Sequence, residues 1–234
     1  MWEPIFLINT IALGIALVAN FCFLVYLVLH ARRKTGLLAI LFSSVCTTLF
    51  ILLAFIELFL PLPLISYSVV FFGVLLLMSY TLIALLVPDK RFNALHTGLL
   101  AFATVMAIFA SLPGMVYQNI IPTNDGYVEL IPGPYAWVLD LYVVGIIAGT
   151  LSIYLRRIAH EKINECRIVL KILMKSFTVY IIGFVLALFI LPSFGINFFT
   201  NLVLAFSMSV VIGTFAVIYA QEYARTHDKT CVLT

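Results

Sequence analysis

Residues 124–157 read NDGYVELIPGPYAWVLDLYVVGIIAGTLSIYLRR, and this stretch indicates the fold more directly than any other part of the chain. After a turn signal at 124–126, an apolar run extends over 135–155. That is about 20 residues, the length that an α-helix needs to cross the hydrocarbon of a bilayer. Arg156 and Arg157 end the run, as charges at a cytoplasmic membrane surface do. The stretch therefore predicts a turn followed by a transmembrane helix.

A single carboxylate interrupts this run. Asp140 lies roughly one and a half turns, or ~8–9 Å, from the start of the predicted helix. An ionised carboxylate without partners is costly at membrane depth. We therefore expect the other helices to supply its environment, and Asp140 is the first candidate for a functional residue.

The whole chain has the composition of a membrane protein. Of its 234 residues, 64% are hydrophobic and 10% are charged, whereas soluble chains have roughly 45–50% apolar and ~25% charged residues. None of its long apolar runs alternates polar and apolar residues as barrel strands do. The predicted fold class is an all-α integral membrane protein, in which residues 1–234 form a single seven-transmembrane helix bundle. The predicted spans are 4–29, 37–60, 64–87, 98–117, 135–155, 168–191 and 197–219.

The basic residues predict the orientation of this bundle. Of the 13 lysines and arginines, 11 follow helix one, three, five or seven, and Lys171 and Lys175 lie in the first part of the predicted span 168–191. None lies at the N-terminus or after helix two, four or six. By the positive-inside rule, the N-terminus is outside and the C-terminus is cytoplasmic. The net charge of +3 then reflects orientation and lipid head-group contact, and it does not indicate nucleic-acid binding.

The loop between helices four and five is the one long outer loop. Its Asn-Asp-Gly sequence at 124–126 favours a tight turn between residues 120–121 and residues 127–130. We expect a short β-hairpin over the outer mouth of the bundle. The alternative is a loop that only spans the gap between the two helices.

Other local signals concern helix ends and packing. Pro113-Gly114 kinks or ends helix four. Residues 157–175 are predicted to be helical, basic and amphipathic, so that helices five and six project into the cytoplasm. A group of hydroxyl side chains in helix two is expected to bond its own backbone or a neighbouring helix, which is a packing role. These residues are Ser43, Ser44, Thr47 and Thr48.

Several kinds of chemistry lack candidate residues. The four cysteines form no CxxC pair, which predicts neither a disulfide nor a metal site. The four histidines lie at or beyond helix ends, where they cannot be paired axial ligands of a membrane haem. Residues 197–219 contain no lysine, which a retinal Schiff base requires. No hydrolase motif lies at membrane depth. We therefore predict no cofactor and no enzymatic activity.

Three segments together resemble a known family. The first is residues 20–61, which contain Phe55-Ile-Glu57-Leu. The second is the loop with Gly126 and Gly133-Pro-Tyr135, together with the helix that ends Tyr154-Leu-Arg-Arg157. The third is the basic stretch that leads into helix six, which ends Leu191-Pro-Ser-Phe-Gly195. The chain resembles the N-terminal seven-transmembrane sensor region of bacterial histidine kinases. That resemblance implies a receptor of the bacterial cytoplasmic membrane that passes a signal to a kinase or cyclase domain. The sequence departs from the family in having no such output domain before Thr234. A tryptophan that is common in helix two of the family is also absent, and Phe50 is the nearest aromatic residue.

The first functional hypothesis is a receptor-like sensor that binds a small or lipophilic ligand in the outer half of the bundle. Asp140 and Trp137, which share a helix face at i, i+3, would build the site, with Glu57 and the hairpin as a lid. The implied partners are membrane lipid, the ligand and a separate signalling protein. Glu57 has an alternative role as a hydrated interfacial carboxylate. The competing functions are a structural subunit of a larger membrane complex, in which Asp140 meets a neighbour's polar group, and a small transporter.

Overall fold

A computed structural model of the protein describes residues 4–30, 35–60, 62–87, 92–122, 128–190 and 214, and these residues are mostly helical. Its six long helices are each apolar and long enough to cross a membrane, so the chain is a multi-pass helical membrane protein. They are α1 (Pro4–His30), α2 (Thr35–Phe59), α3 (Pro63–Leu86), α4 (Ala94–Ser111), α5 (Ala136–His160) and α6 (Asn164–Val185), and a π-helical turn, Leu186–Ile190, follows α6. The predicted seventh span, 197–219, lies outside the described residues except for Thr214 and stays a prediction.

The segment between α4 and α5 contains two short strands. Strand β1 (Tyr117–Pro122) pairs antiparallel with β2 (Val128–Pro132), and Ile120 lies opposite Leu130. The predicted turn at 124–126 lies outside the described residues, so the hairpin as a whole stays a prediction. We call the side of the bundle where α3 and α5 begin the hairpin end, and the side where they finish the basic end.

Helix α4 differs from its predicted span, 98–117. It begins earlier because Asn93 caps it: the Asn93 side chain accepts a hydrogen bond from the His96 backbone N–H at 3.3 Å, and the Asn93 N–H donates to His96 Nδ1 at 3.0 Å. The helix ends at Ser111, just before Pro113. The residue before a proline is disfavoured in helical conformation. Of the two predicted effects of Pro113-Gly114, a kink or an end, the structure shows the end, and the predicted continuation of the span to 117 is wrong.

Both α5 and α6 extend beyond their predicted spans at the basic end. Helix α5 continues past Arg156 and Arg157 to His160, and α6 begins at Asn164. The predicted helical extension is therefore confirmed, with a break at 161–163 between the two helices.

Helix α3 lies at the centre of the packing. It contacts α2, α4, α5 and α6, and its side chains are buried without interruption from Val74 to Ala84. Within the apolar window of each helix, 67% of residues are buried in α3 but only 22% in α5. A helix that is apolar all round belongs in the interior, and α3 occupies that place.

Hydrogen bonds between side chains fix the register of the helices around α3. Ser79 Oγ donates to Ser43 Oγ of α2 at 2.9 Å, and the hydroxyls of Thr81 and Thr150 of α5 lie 2.7 Å apart. All four residues are buried. Because an unpaired hydroxyl is unfavourable in an apolar interior, sliding α2 or α5 along α3 would cost free energy.

Arg157 joins α5 to the end of α3. Its Nη1 donates to the carbonyl oxygens of Ala84 at 2.6 Å and Leu85 at 3.3 Å, and it also donates to the carbonyl of Val87. The last carbonyls of a helix have no partner within the helix and carry partial negative charge. The Arg157 guanidinium supplies these carbonyls with both hydrogen-bond donors and positive charge. Arg157 therefore holds the basic ends of α3 and α5 together, in addition to ending an apolar run.

A close backbone approach joins the strands to the end of α4. The Gly133 N–H donates to the Val116 carbonyl at 2.7 Å. A Cβ atom on Gly133 would lie 2.4 Å from the carbonyl oxygen of Met115, which is closer than real Cβ contacts. Only glycine fits at this position without a backbone shift.

Gly133→Ala should therefore destabilise the protein, because the added methyl collides with backbone and not with a side chain that can move. We expect a loss of about 1–3 kcal/mol in the free energy of unfolding, the usual cost of overpacking. The measurement is thermal unfolding of the purified protein in detergent. Gly145→Ala in α5 is the matched control, since a Cβ there meets no atom within 4 Å and alanine favours a helix. Equal melting of the two variants would contradict the close approach.

Arg157→Gln should lower the free energy of unfolding by about 1–3 kcal/mol, because hydrogen bonds from a charged donor to the end of α3 are lost. Arg156→Gln provides the comparison. Arg156 is exposed and makes no hydrogen bond within the described part of the chain, so its replacement should change thermal stability little in a neutral detergent. The interpretation of Arg157 fails if both variants melt alike.

Candidate functional site

Glu57 is held at the hairpin end, where α2 turns into α3. It lies in the last turn of α2, and Pro63 begins α3 a few residues later, so the chain reverses within a short distance. This reversal places Glu57 against Ser66, whose hydroxyl donates to Glu57 Oε1. Ser66 is 3% exposed and Glu57 is half-buried.

The Glu57 carboxylate has acceptor capacity beyond this bond. A carboxylate offers about four acceptor sites, and Ser66 is the one partner of Glu57 among the residues that the structure describes. A half-buried carboxylate on a membrane helix is costly unless further donors reach it. Water, a lipid head group or a ligand at the hairpin end can supply them.

Asp140 and Trp137 lie on α5, also at the hairpin end. Both are exposed, Trp137 by 58%, and the Asp140 carboxylate makes no hydrogen bond or ion pair in the described part of the chain. We expected neighbouring helices to surround Asp140, and its exposure corrects that expectation. The reason is the face of α5 on which Asp140 lies, because Trp137 and Val144 on the same face are also exposed, by 58% and 63%.

The three predicted site residues share one end of the bundle, but they form two groups. Glu57 bonds to Ser66 of α3, while Trp137 and Asp140 lie together on the exposed face of α5. No hydrogen bond or ion pair joins Glu57 to Asp140 within the described ranges. One further contact reaches this end, because the Tyr67 hydroxyl of α3 donates to the Tyr117 carbonyl of β1 at 3.5 Å. The strands are thus tied to the start of α3.

A buried aromatic cluster toward the basic end was not predicted from the sequence. The ring centroids of Tyr80 and Tyr180 lie 4.9 Å apart, and those of Tyr80 and Phe177 lie 5.5 Å apart. Tyr154 meets Phe177 at 6.3 Å. These four side chains are at most 2% exposed and join α3, α5 and α6. Tyrosines inside apolar runs were the available signal, since a polar ring in a span favours a position facing other helices. We interpret the cluster as packing between these helices.

The hydroxyl side chains of α2 have the expected packing role with one exception. Thr47 and Thr48 donate to the carbonyls of Ser43 and Ser44, both at 2.8 Å, and Ser43 pairs with Ser79 of α3. The prediction is confirmed for these residues. It is wrong for the Ser44 hydroxyl, which is buried and has no hydrogen-bond partner among the described residues.

An open groove of about 530 Å³ lies between α1 and α2. Apolar side chains and Thr48 line it, and none of the candidate site residues reaches it. Such a surface suits hydrocarbon chains and offers no group that would select a charged ligand.

The prediction of no disulfide is wrong for one cysteine. Cys166, near the start of α6, is disulfide-bonded, whereas Cys22 and Cys46 are free. The partner of Cys166 lies outside the described residues. Local spacing could not have shown this bond, because a disulfide joins residues that are close in space and its connectivity cannot be read from sequence.

Comparison with protein-family models and with curated proteins identifies no relative. No model of a known protein family matches the chain, and no curated protein matches it. The resemblance to the sensor region of bacterial histidine kinases therefore stays a prediction.

Proposed function

We propose that this membrane protein is a receptor-like sensor that binds a small or lipophilic ligand at the hairpin end and signals to a separate cytoplasmic protein. The proposal includes seven spans, an outside N-terminus, a cytoplasmic C-terminus and residence in a bacterial cytoplasmic membrane. The observation that carries it is the half-buried Glu57 carboxylate with Ser66 as its one described partner. Such a group gains most from a ligand that brings a cation or a hydrogen-bond donor.

The packing supports a route by which binding would reach the opposite end. A ligand at Glu57 acts on the contact between α2 and α3. Helix α3 is packed on several sides, and toward the basic end it bonds Thr150 and Arg157 of α5. Packed helices respond to such a perturbation by small rigid shifts rather than by bending. A displacement of α3 would therefore alter the basic end, where the proposed partner docks.

A second candidate function is that of a subunit in a larger membrane complex. The observation that favours it is the exposure of Asp140 beside Trp137 on α5. Polar side chains on the outer face of a membrane helix form hydrogen bonds with other helices, and large aromatic side chains are enriched at interfaces. In this function Asp140 would bond a polar group of a neighbouring subunit.

The orientation predicts the labelling of single introduced cysteines. Asp125→Cys should react with a membrane-impermeant thiol reagent added to intact cells, and Lys162→Cys should react only after the cells are opened. Labelling is measured relative to the parent, which has cysteines of its own. The reverse pattern would place the N-terminus inside and would overturn the proposed direction of signalling.

Ligand binding predicts a dependence on Glu57. A panel of lipophilic amines and alcohols is screened for compounds that raise the melting temperature of the purified parent. Glu57→Gln should weaken binding of such a compound by about tenfold or more, because a hydrogen bond to a charged group is lost. Ser152→Ala is the control, since Ser152 is exposed on α5 toward the basic end. Unchanged binding to Glu57→Gln would exclude this carboxylate from the site.

Asp140→Asn separates the two candidate functions. The variant should fold and melt like the parent, because the side chain is exposed and its shape is preserved. Loss of compound binding would place Asp140 in the ligand site. Retained binding, together with a smaller native assembly extracted from the membrane, would instead favour the subunit function.

A further inference from the structure

The cations of α5 and α6 divide into two kinds. Arg157 bonds the last carbonyls of α3, and Arg167 bonds the Glu161 carbonyl through Nε at 3.2 Å and Nη2 at 2.5 Å. By contrast, Arg156, Lys171 and Lys175 are exposed and have no hydrogen bond or ion pair with any described residue. We call these three side chains the basic surface.

The members of the basic surface lie at related depths. Helices α5 and α6 are antiparallel neighbours joined by the short connection at 161–163, and the rings of Tyr154 and Phe177 are in contact. Arg156 follows Tyr154 by two residues on α5, and Lys175 precedes Phe177 by two residues on α6, so each lies two residues nearer to the basic end than its ring. These two cations therefore share a depth, and Lys171 lies one helical turn further toward the basic end.

This depth coincides with the end of α3, because the neighbouring Arg157 bonds the carbonyls of Ala84 and Leu85. Exposed cations do not remain in hydrocarbon; their charged groups reach the interface while their aliphatic stems cover apolar surface. The charged groups of Arg156, Lys171 and Lys175 thus lie at the membrane interface of the basic end. The apolar span of α6 begins at Cys166, so that apolar side chains accompany these cations.

The surroundings combine positive charge with apolar side chains. Leu155 beside Arg156 is 59% exposed, and Ile168 and Ile172 near Lys171 are 49% and 37% exposed. The side chain of Glu161 accepts a hydrogen bond from the Ile163 N–H and forms no ion pair with these cations. An occupant with a negative head and apolar chains matches both properties.

We propose that the basic surface of Arg156, Lys171 and Lys175 binds the phosphate head groups of anionic phospholipids. The cations meet the phosphate charge, while the exposed leucine and isoleucines contact the acyl chains. Zwitterionic lipids lack the net negative charge that attracts such a surface. The inference is independent of the proposed sensor function and of the orientation, because it concerns whichever leaflet faces the basic end.

The test uses the full-length protein in neutral detergent with added phosphatidylglycerol or phosphatidylcholine. Phosphatidylglycerol should raise the melting temperature of the parent, and phosphatidylcholine should not. The double variant Lys171→Gln/Lys175→Gln should bind phosphatidylglycerol about 25-fold more weakly, at roughly a factor of five for each lysine near the anionic surface. High salt should weaken the effect in the parent, because it screens exposed charges.

The matched control is Lys171→Arg/Lys175→Arg, which keeps both charges and should keep the response to phosphatidylglycerol. Arg156→Gln is the second variant, and it should weaken the response by roughly fivefold. A glutamine double variant that responds like the parent would overturn the proposal. An equal response to phosphatidylcholine would also overturn it. Inorganic phosphate that reproduces the stabilisation would show an ion site and would exclude the proposed lipid site.

Discussion

The burial of α3 is the constraint on which the rest of the bundle depends. In hydrocarbon, a helix satisfies its own backbone, but the hydroxyls and carbonyls that remain must find partners on neighbouring helices. Helix α3 meets this requirement in two ways. Its Ser79 bonds Ser43 of α2, and its Thr81 and last carbonyls bond Thr150 and Arg157 of α5. Apolar packing alone would tolerate many registers, because lipid tails are as apolar as the helix surfaces. These few polar contacts select one register.

The two ends of the bundle are held in different ways. At the basic end, a guanidinium bonds several backbone carbonyls, and a cluster of buried rings joins α3, α5 and α6. At the hairpin end, Glu57 has one described partner, and Asp140 is exposed. A ligand changes an equilibrium only through contacts that differ between states. The less satisfied hairpin end is therefore the better place for a ligand to act, and the tightly joined basic end is the better place to transmit its effect.

Adjacent residues of the same type have different roles in this chain. Arg156 and Arg157 both end an apolar run, yet one is exposed and the other bonds the end of α3. Their alternate directions follow from helix geometry, since neighbouring residues point about 100° apart. Arg157 therefore faces the bundle, and Arg156 faces outward. A rule that counts charges at a membrane surface treats the two as equal, and only their contacts distinguish a structural cation from one available to lipid.

The sequence determined what depends on local length and chemistry. Apolar runs of bilayer length predicted the six described helices, Pro113-Gly114 predicted a kink or an end in α4, and the basic stretch predicted the extension of α5 and α6. The tertiary structure alone decided the pairing of Glu57 with Ser66, the exposure of Asp140, the tyrosine cluster and the disulfide at Cys166. Each of these depends on which faces of distant helices meet. Hydropathy is nearly uniform around a membrane helix, because lipid and protein interior are equally apolar, and its pattern therefore cannot show which face is turned inward.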